Sequence, residues 1–129
     1  MLLDSTFLND LVRSDSDAVD KLEALVDGED PVAISSLTVF EVGVGLRGDS
    51  QRHKPTFDRV TDQIDEVPFD SRAAQRALDI QHDLLDRGEP IGAIDVLIAG
   101  TAATRSDATV LTRNVDEFER VDTITVETY

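Results

Sequence analysis

At 129 residues the chain is one domain's worth, long enough to bury a core without covalent staples. It holds no cysteine, which excludes disulfides, zinc–thiolate centres and thiol catalysis, and no run approaches the ~18 apolar residues of a membrane span. Twenty-seven acids against twelve Lys and Arg leave a formal net charge of −15; that charge repels nucleic acid in bulk and points to a salt-loving source whose ions screen the self-repulsion.

The opening Met1-Leu2-Leu3-Asp4 carries an acid and no basic lead-in, unlike a signal peptide, so a soluble cytoplasmic protein is expected. Met1 to Leu3 read as a short strand, and Thr6 to Val12 as a helix start. Ser14 or Ser16 is placed to cap a second helix carrying Val19, Leu22, Leu25 and Val26, stopped by Gly28. Val32 to Ser35 follow as a buried strand, and Ser36 as the cap of a helix from Leu37 to about Leu46. Gly48 to Pro55 read as a polar loop. Phe57, Val60 and Ile64 resume helical spacing, and Val67 to Phe69 form a short strand at an edge or ending at its proline. Asp70 or Ser71 opens an amphipathic helix with Ala74, Ala77, Leu78, Gln81, Leu84 and Leu85 on one face. Gly92 to Ala103 is nearly apolar all round and reads as a buried helix, and strands follow at Ala108 to Leu111 and Ile124 to Val126. Alternation of strand and helix predicts a single α/β domain over residues 1–129, a parallel sheet covered by helices in three α/β/α layers.

Acids are abundant, so those that interrupt apolar runs are the informative ones. Asp4 ends the first strand, where the crevice of a parallel sheet opens; it is also placed to cap the helix after it. Glu41 falls in the apolar stripe of its helix, beside Phe40, where an unpaired carboxylate is costly; a partner Arg or a stripe edge open to water is the plainer account. Asp95 shares a helical face with Ile98, Ala99 and Ala102, or else caps the central helix. Beyond the strand ending at Thr112 stand Asn114, Asp116 and Glu117, among which the sequence does not decide. Converging carboxylates raise one another's pKa values unless a cation resolves them, and oxygen ligands select hard ions, Mg²⁺ or Mn²⁺. Such ions activate water for phosphodiester hydrolysis, with Ser5, Thr6, Thr112 or Asn114 positioning that water or a phosphate oxygen.

Four segments together resemble the PIN domain, and within it the VapC-type toxins of VapBC toxin–antitoxin systems. They are the opening MLLDSTFLNDL, Ser36 to Glu41, Ile91 to Ala99, and Leu111 to Phe118, in matching order and spacing across essentially the whole chain. The resemblance implies Mg²⁺- or Mn²⁺-dependent cleavage of RNA, inhibition by a small antitoxin, and a homodimer. It matches Asp4 and Asp95 to metal ligands and Glu41 to a third acid. Asn114 stands where many relatives carry an acid, so Asp116 is expected to complete the catalytic set, with Glu117 in support.

Other readings fit less well. Gly43 to Gly48 matches a dinucleotide-binding fingerprint, but the polar, proline-broken stretch after it cannot open the required helix. No Gly-Lys-Ser/Thr phosphate loop is present, and no Lys follows Lys54, as a phosphoacceptor domain would need. His53 and His82 read as surface residues. A PIN-like module that has lost cleavage and only binds a partner, and an RNA-processing nuclease that is no toxin, remain the alternatives.

Overall fold

A computed structural model describes residues 1–129. Five strands, β1 (Leu2–Leu3), β2 (Ala33–Ser35), β3 (Asp65–Val67), β4 (Thr109–Leu111) and β5 (Thr125–Glu127), form one sheet in the order β3-β2-β1-β4-β5. Every pairing is parallel. The register sets Leu3 beside Ile34 on one side and Leu111 on the other, so the residues following β1 and β4 emerge together at one edge.

Pleat alternation divides the core into two layers. Leu2 and Val110 face one side, packed with Ala77, Ile80 and Leu84 of α5 (Ser71–Asp86), Ile98, Ala99 and Ala102 of α6 (Ala93–Ala103), and Phe118 of α7 (Val115–Phe118). Leu3, Ile34 and Leu111 face the other, against Phe7 and Leu11 of α1 (Ser5–Val12) and Ala18 and Leu25 of α2 (Ser16–Asp27). There a further group joins α1 to α3 (Ser36–Val44) and α4 (Lys54–Gln63) through Leu8, Val12, Val42 and Phe57. The three-layer α/β/α architecture expected from the alternation is the one observed. No helix is long and apolar enough to cross a membrane.

Local differences from the sequence expectation have physical reasons. Asp15, rather than Ser14 or Ser16, caps α2 by accepting from the Ala18 N–H, while Ser14 turns the chain at a φ of 61°. Ser35 caps α3, leaving the Ser36 hydroxyl free to donate to Glu66 across the sheet edge. Gly48–His53 is a 3-10 helix, not a loop. The buried row of α5 is Ala73, Ala77, Ile80 and Leu84, so Leu78 and Leu85 stand in solvent. Gly92, not Asp95, caps α6, and only the part of that helix beyond its first turn is buried.

α5 and α6 approach most closely at Gly100. A Cβ there would lie 2.6 Å from the Ala77 Cβ and 2.7 Å from the Ala77 backbone nitrogen. Gly100→Ala must therefore spread the helix pair, at about 1–3 kcal/mol. It is expected to lower the melting temperature by on the order of 5 °C; a variant that melts like the wild type would show that the helices part freely.

Candidate active site at the carboxyl edge of the sheet

Asp4 follows β1 directly and its backbone N–H donates to the Leu111 carbonyl at 3.1 Å, one rung beyond the strand. Its side chain is 2% exposed. One carboxylate oxygen accepts from the Phe7 N–H at 3.0 Å, capping α1, and from the Thr6 hydroxyl at 2.7 Å. The other accepts a short hydrogen bond from the Thr112 hydroxyl. Burial pushes the carboxyl above its ordinary value, against the lowering effect of the Thr112, Phe7 and Thr6 donors. The capping role and a place in the crevice thus coincide in one residue.

Thr6 and Thr112 carry the network outward. The Arg113 N–H donates to the Thr6 hydroxyl at 3.1 Å, and the Asn114 N–H donates to the Thr112 hydroxyl at 2.8 Å. The Asn114 side-chain amide then donates to Glu117 at 2.9 Å and to Asp95 at 3.2 Å. Asp95 lies in the first turn of α6. Desolvation, a hydrogen bond shared with Glu117, and the charges of Glu117, Asp4 and Glu41 push its carboxyl up to about 7. Glu117 is held below its ordinary value, first by that same bond and then by Asn114. The proton between them therefore resides on Asp95.

The structure gathers Asp4, Thr6, Asp95, Thr112, Asn114 and Glu117 into one bonded group. Ser5, beside them, keeps a buried hydroxyl oxygen with no hydrogen-bond partner. Glu41 lies near enough for its charge to reach Asp95, yet it is exposed, because the buried residues of α3 are Thr38 and Val42. The expectation that it interrupts a buried stripe is corrected accordingly. Asp116 is also corrected: it is exposed and makes no hydrogen bond or ion pair with the group, and the acid α7 contributes is Glu117. The spacing of Asn114 and Glu117, three residues apart on a helical turn, was the available signal. No three acidic or histidine side chains converge as a finished cation cage. The assembled side chains are nonetheless oxygen donors with no thiol or imidazole among them, and they crowd like charge.

Arg113 escaped sequence reasoning altogether. Its guanidinium makes ion pairs to Asp10 at 3.1 Å, Asp15 at 3.3 Å and Asp17 at 3.4 Å, and lies 4.5 Å from the Tyr129 ring centroid. Tyr129 donates to Asp10 at 2.6 Å and meets the Phe7 ring edge-on at 4.8 Å. The clasp fixes the backbone that donates to Thr6.

A family model described as PIN domain matches residues 1–124. The chain is 32% identical over 98 residues, 74% of each chain, to the tRNA(fMet)-specific endonuclease VapC of Shigella flexneri. Its fold superposes on VapBC2 of Rickettsia felis, solved bound to a DNA fragment from the promoter, with a TM-score of 0.86 at 23% identity, covering 99% of this chain and 97% of that one. It also superposes on VapBC-5 of Mycobacterium tuberculosis, a member of the VapBC family of toxin–antitoxin systems, with a TM-score of 0.73 at 26% identity over 98% and 94% of the two chains.

Asp95 has a folded value above its ordinary 3.8, so its contribution to stability is complete below about pH 4 and is lost as pH rises through about 7. In chelator, Asp95→Asn is expected to match the wild type near the lower limit and to melt a few degrees higher above the upper one. Thermal melts across that range check this; a wild type as stable as the variant at high pH would remove the like-charge strain from the description.

Proposed function

This chain belongs to the PIN domain family, and from that premise we propose that it is a metal-dependent ribonuclease, hydrolysing RNA as the toxin of a toxin–antitoxin pair. The observation that carries the reading is the bonded group at the sheet edge, in which Asp4, Asp95 and Glu117 lie together without a basic side chain to neutralise them. Its oxygen-only donors suit Mg²⁺ or Mn²⁺. Asp4 and Asp95 would hold the ion, with Glu117 and Glu41 assisting. When bound, the cation supplies the positive charge that activates water and stabilises the negative charge developing on the phosphoryl group.

The chain's own residues do the rest. Thr6 and Thr112 fix both oxygens of Asp4, so the carboxylate keeps one orientation. Asn114 aims its amide at Asp95 and Glu117 and holds the pair together. The proton held on Asp95 has to leave before that carboxylate serves as a ligand. The Ser5 hydroxyl, buried without a partner, is placed to orient water or a phosphate oxygen. Water as the attacker leaves 5′-phosphate and 3′-hydroxyl ends.

The VapBC family membership of a fold relative supports a small antitoxin as the inhibiting partner, and the tRNA-specific relative supports a structured RNA as substrate. Homodimerisation belongs to the same reading.

Incubation of cellular RNA with Mn²⁺ in molar potassium chloride tests it. Wild type is expected to cleave. Asp95→Asn and Glu117→Gln should each lose on the order of a hundredfold, since even outer partners of a metal ligand are worth roughly 10–100-fold, while Asp116→Asn stays near wild type. Cleavage by a folded Asp95→Asn protein, or products ending in 2′,3′-cyclic phosphate, would sink the assignment. Mn²⁺ should also raise the wild-type melting temperature at fixed ionic strength, and no shift would remove the ion.

A further inference from the structure

We infer that single-stranded RNA leaving the acid cluster runs along the exposed side of α3, stacking a base on Phe40 and resting its phosphates on Arg13, Arg47 and Arg52. The inference rests on the ribonuclease reading and adds the path of the strand to it.

Phe40 is the first support. It is 73% exposed, the most of any large apolar side chain in the protein. It adjoins Glu41, whose charge reaches Asp95. One turn further, Val44 is 54% exposed, extending the apolar strip away from the cluster. Every base has a π-face, so a free aromatic ring beside a phosphodiester site suits an unpaired strand whatever its sequence.

The basic residues are the second. α3 leads through Arg47, which precedes the 3-10 helix, to Arg52, His53 and Lys54. Elsewhere the acids take up the guanidiniums, two carboxylates on Arg87 and three on Arg113. Arg47 and Arg52 have no ion pair, and Arg13, at the end of α1, bonds only the neutral Asn9 amide at 3.2 Å. These cations also lie together. A slight loss of solvation, followed by the charges of Arg13 and Arg52, holds the His53 imidazole below its ordinary range. In a chain of net charge −15, leaving this cluster unneutralised favours a polyanion.

Reach is the third. Arg13 follows Asp4 by nine residues along α1, about 13 Å at 1.5 Å per residue, a span of a few nucleotides. Phe40 and Val44 border the same route, because α1 and α3 pack together through Leu8, Val12 and Val42.

Binding of a short, fluorescently labelled single-stranded oligoribonucleotide, measured by anisotropy in chelator across a potassium chloride series, tests the path without cleavage. Phe40→Ala should weaken binding about tenfold, in line with one lost stacking contact, and Phe40→Trp should restore it. The double variant Arg13→Ala/Arg52→Ala should flatten the slope of log affinity against log salt by about 1.4, from about 0.7 per phosphate contact on a single strand. Unchanged circular dichroism would tie both effects to the surface. Absence of binding by the wild type at low salt overturns the path, as does binding by all variants with the wild-type affinity and slope. Variants that keep RNA but lose a co-purifying protein would give the face to a protein partner and also overturn it. A wild type that binds in the expected pattern yet cleaves no RNA with Mn²⁺ defeats the ribonuclease reading alone.

Discussion

The Asp4 carboxylate is sealed between the ends of two parallel strands, and the rest of the site hangs on that placement. A charge at 2% exposure is tolerable only when its lone pairs are met, and three donors from three sources meet them: a hydroxyl on the turn after β1, the first turn of α1, and the residue after β4. Each donor exists because of the β1–β4 register. A one-residue slip would turn Leu3 and Leu111 to the opposite core and take Thr112 away. From Asp4 the hydrogen bonds continue through Thr112 to Asn114 and from there to Asp95 and Glu117, joining a strand end to two helices on the other face of the sheet.

Charge is distributed as unevenly as it is abundant. Around Arg113 three acids are neutralised and an aromatic ring covers the guanidinium, which makes that corner rigid. At the neighbouring cluster no cation intervenes, so Asp95 stays protonated into the neutral range. The two groups share a backbone, since Arg113 lies between Thr112 and Asn114. The protein thus couples a corner stabilised by opposite charge to one strained by like charge, the usual relation between a scaffold and a working site.

Much of this was legible in the residues. Alternating short apolar runs and amphipathic stretches carry the parallel three-layer fold, and Asp4 and Asp95 stand out because an acid there breaks an apolar run. Exposure was less legible. The apolar neighbours of Glu41 suggested burial, but Phe40 and Val44 flank it on the solvent side, and a pattern of apolar residues cannot distinguish a core stripe from a free one. Asp116 and Glu117 differ only in helical phase, which a four-residue helix barely expresses. The Arg113 clasp joins residues over a hundred positions apart, and nothing local announces such a contact. Caps shifted by one residue at Asp15 and Ser35 because adjacent side chains competed for the same N–H groups.

The backbone bond from Asp4 to Leu111 has a consequence outside catalysis. The amide sits in the middle strand of the sheet, beneath a carboxylate that solvent barely reaches, and no local fraying frees it. Its hydrogen–deuterium exchange requires the sheet itself to open, so it belongs with the slowest amides, those that report global unfolding. Most enzymes keep their reactive groups on the loosest parts of the molecule. Here one of them is also a gauge of how long the whole fold survives.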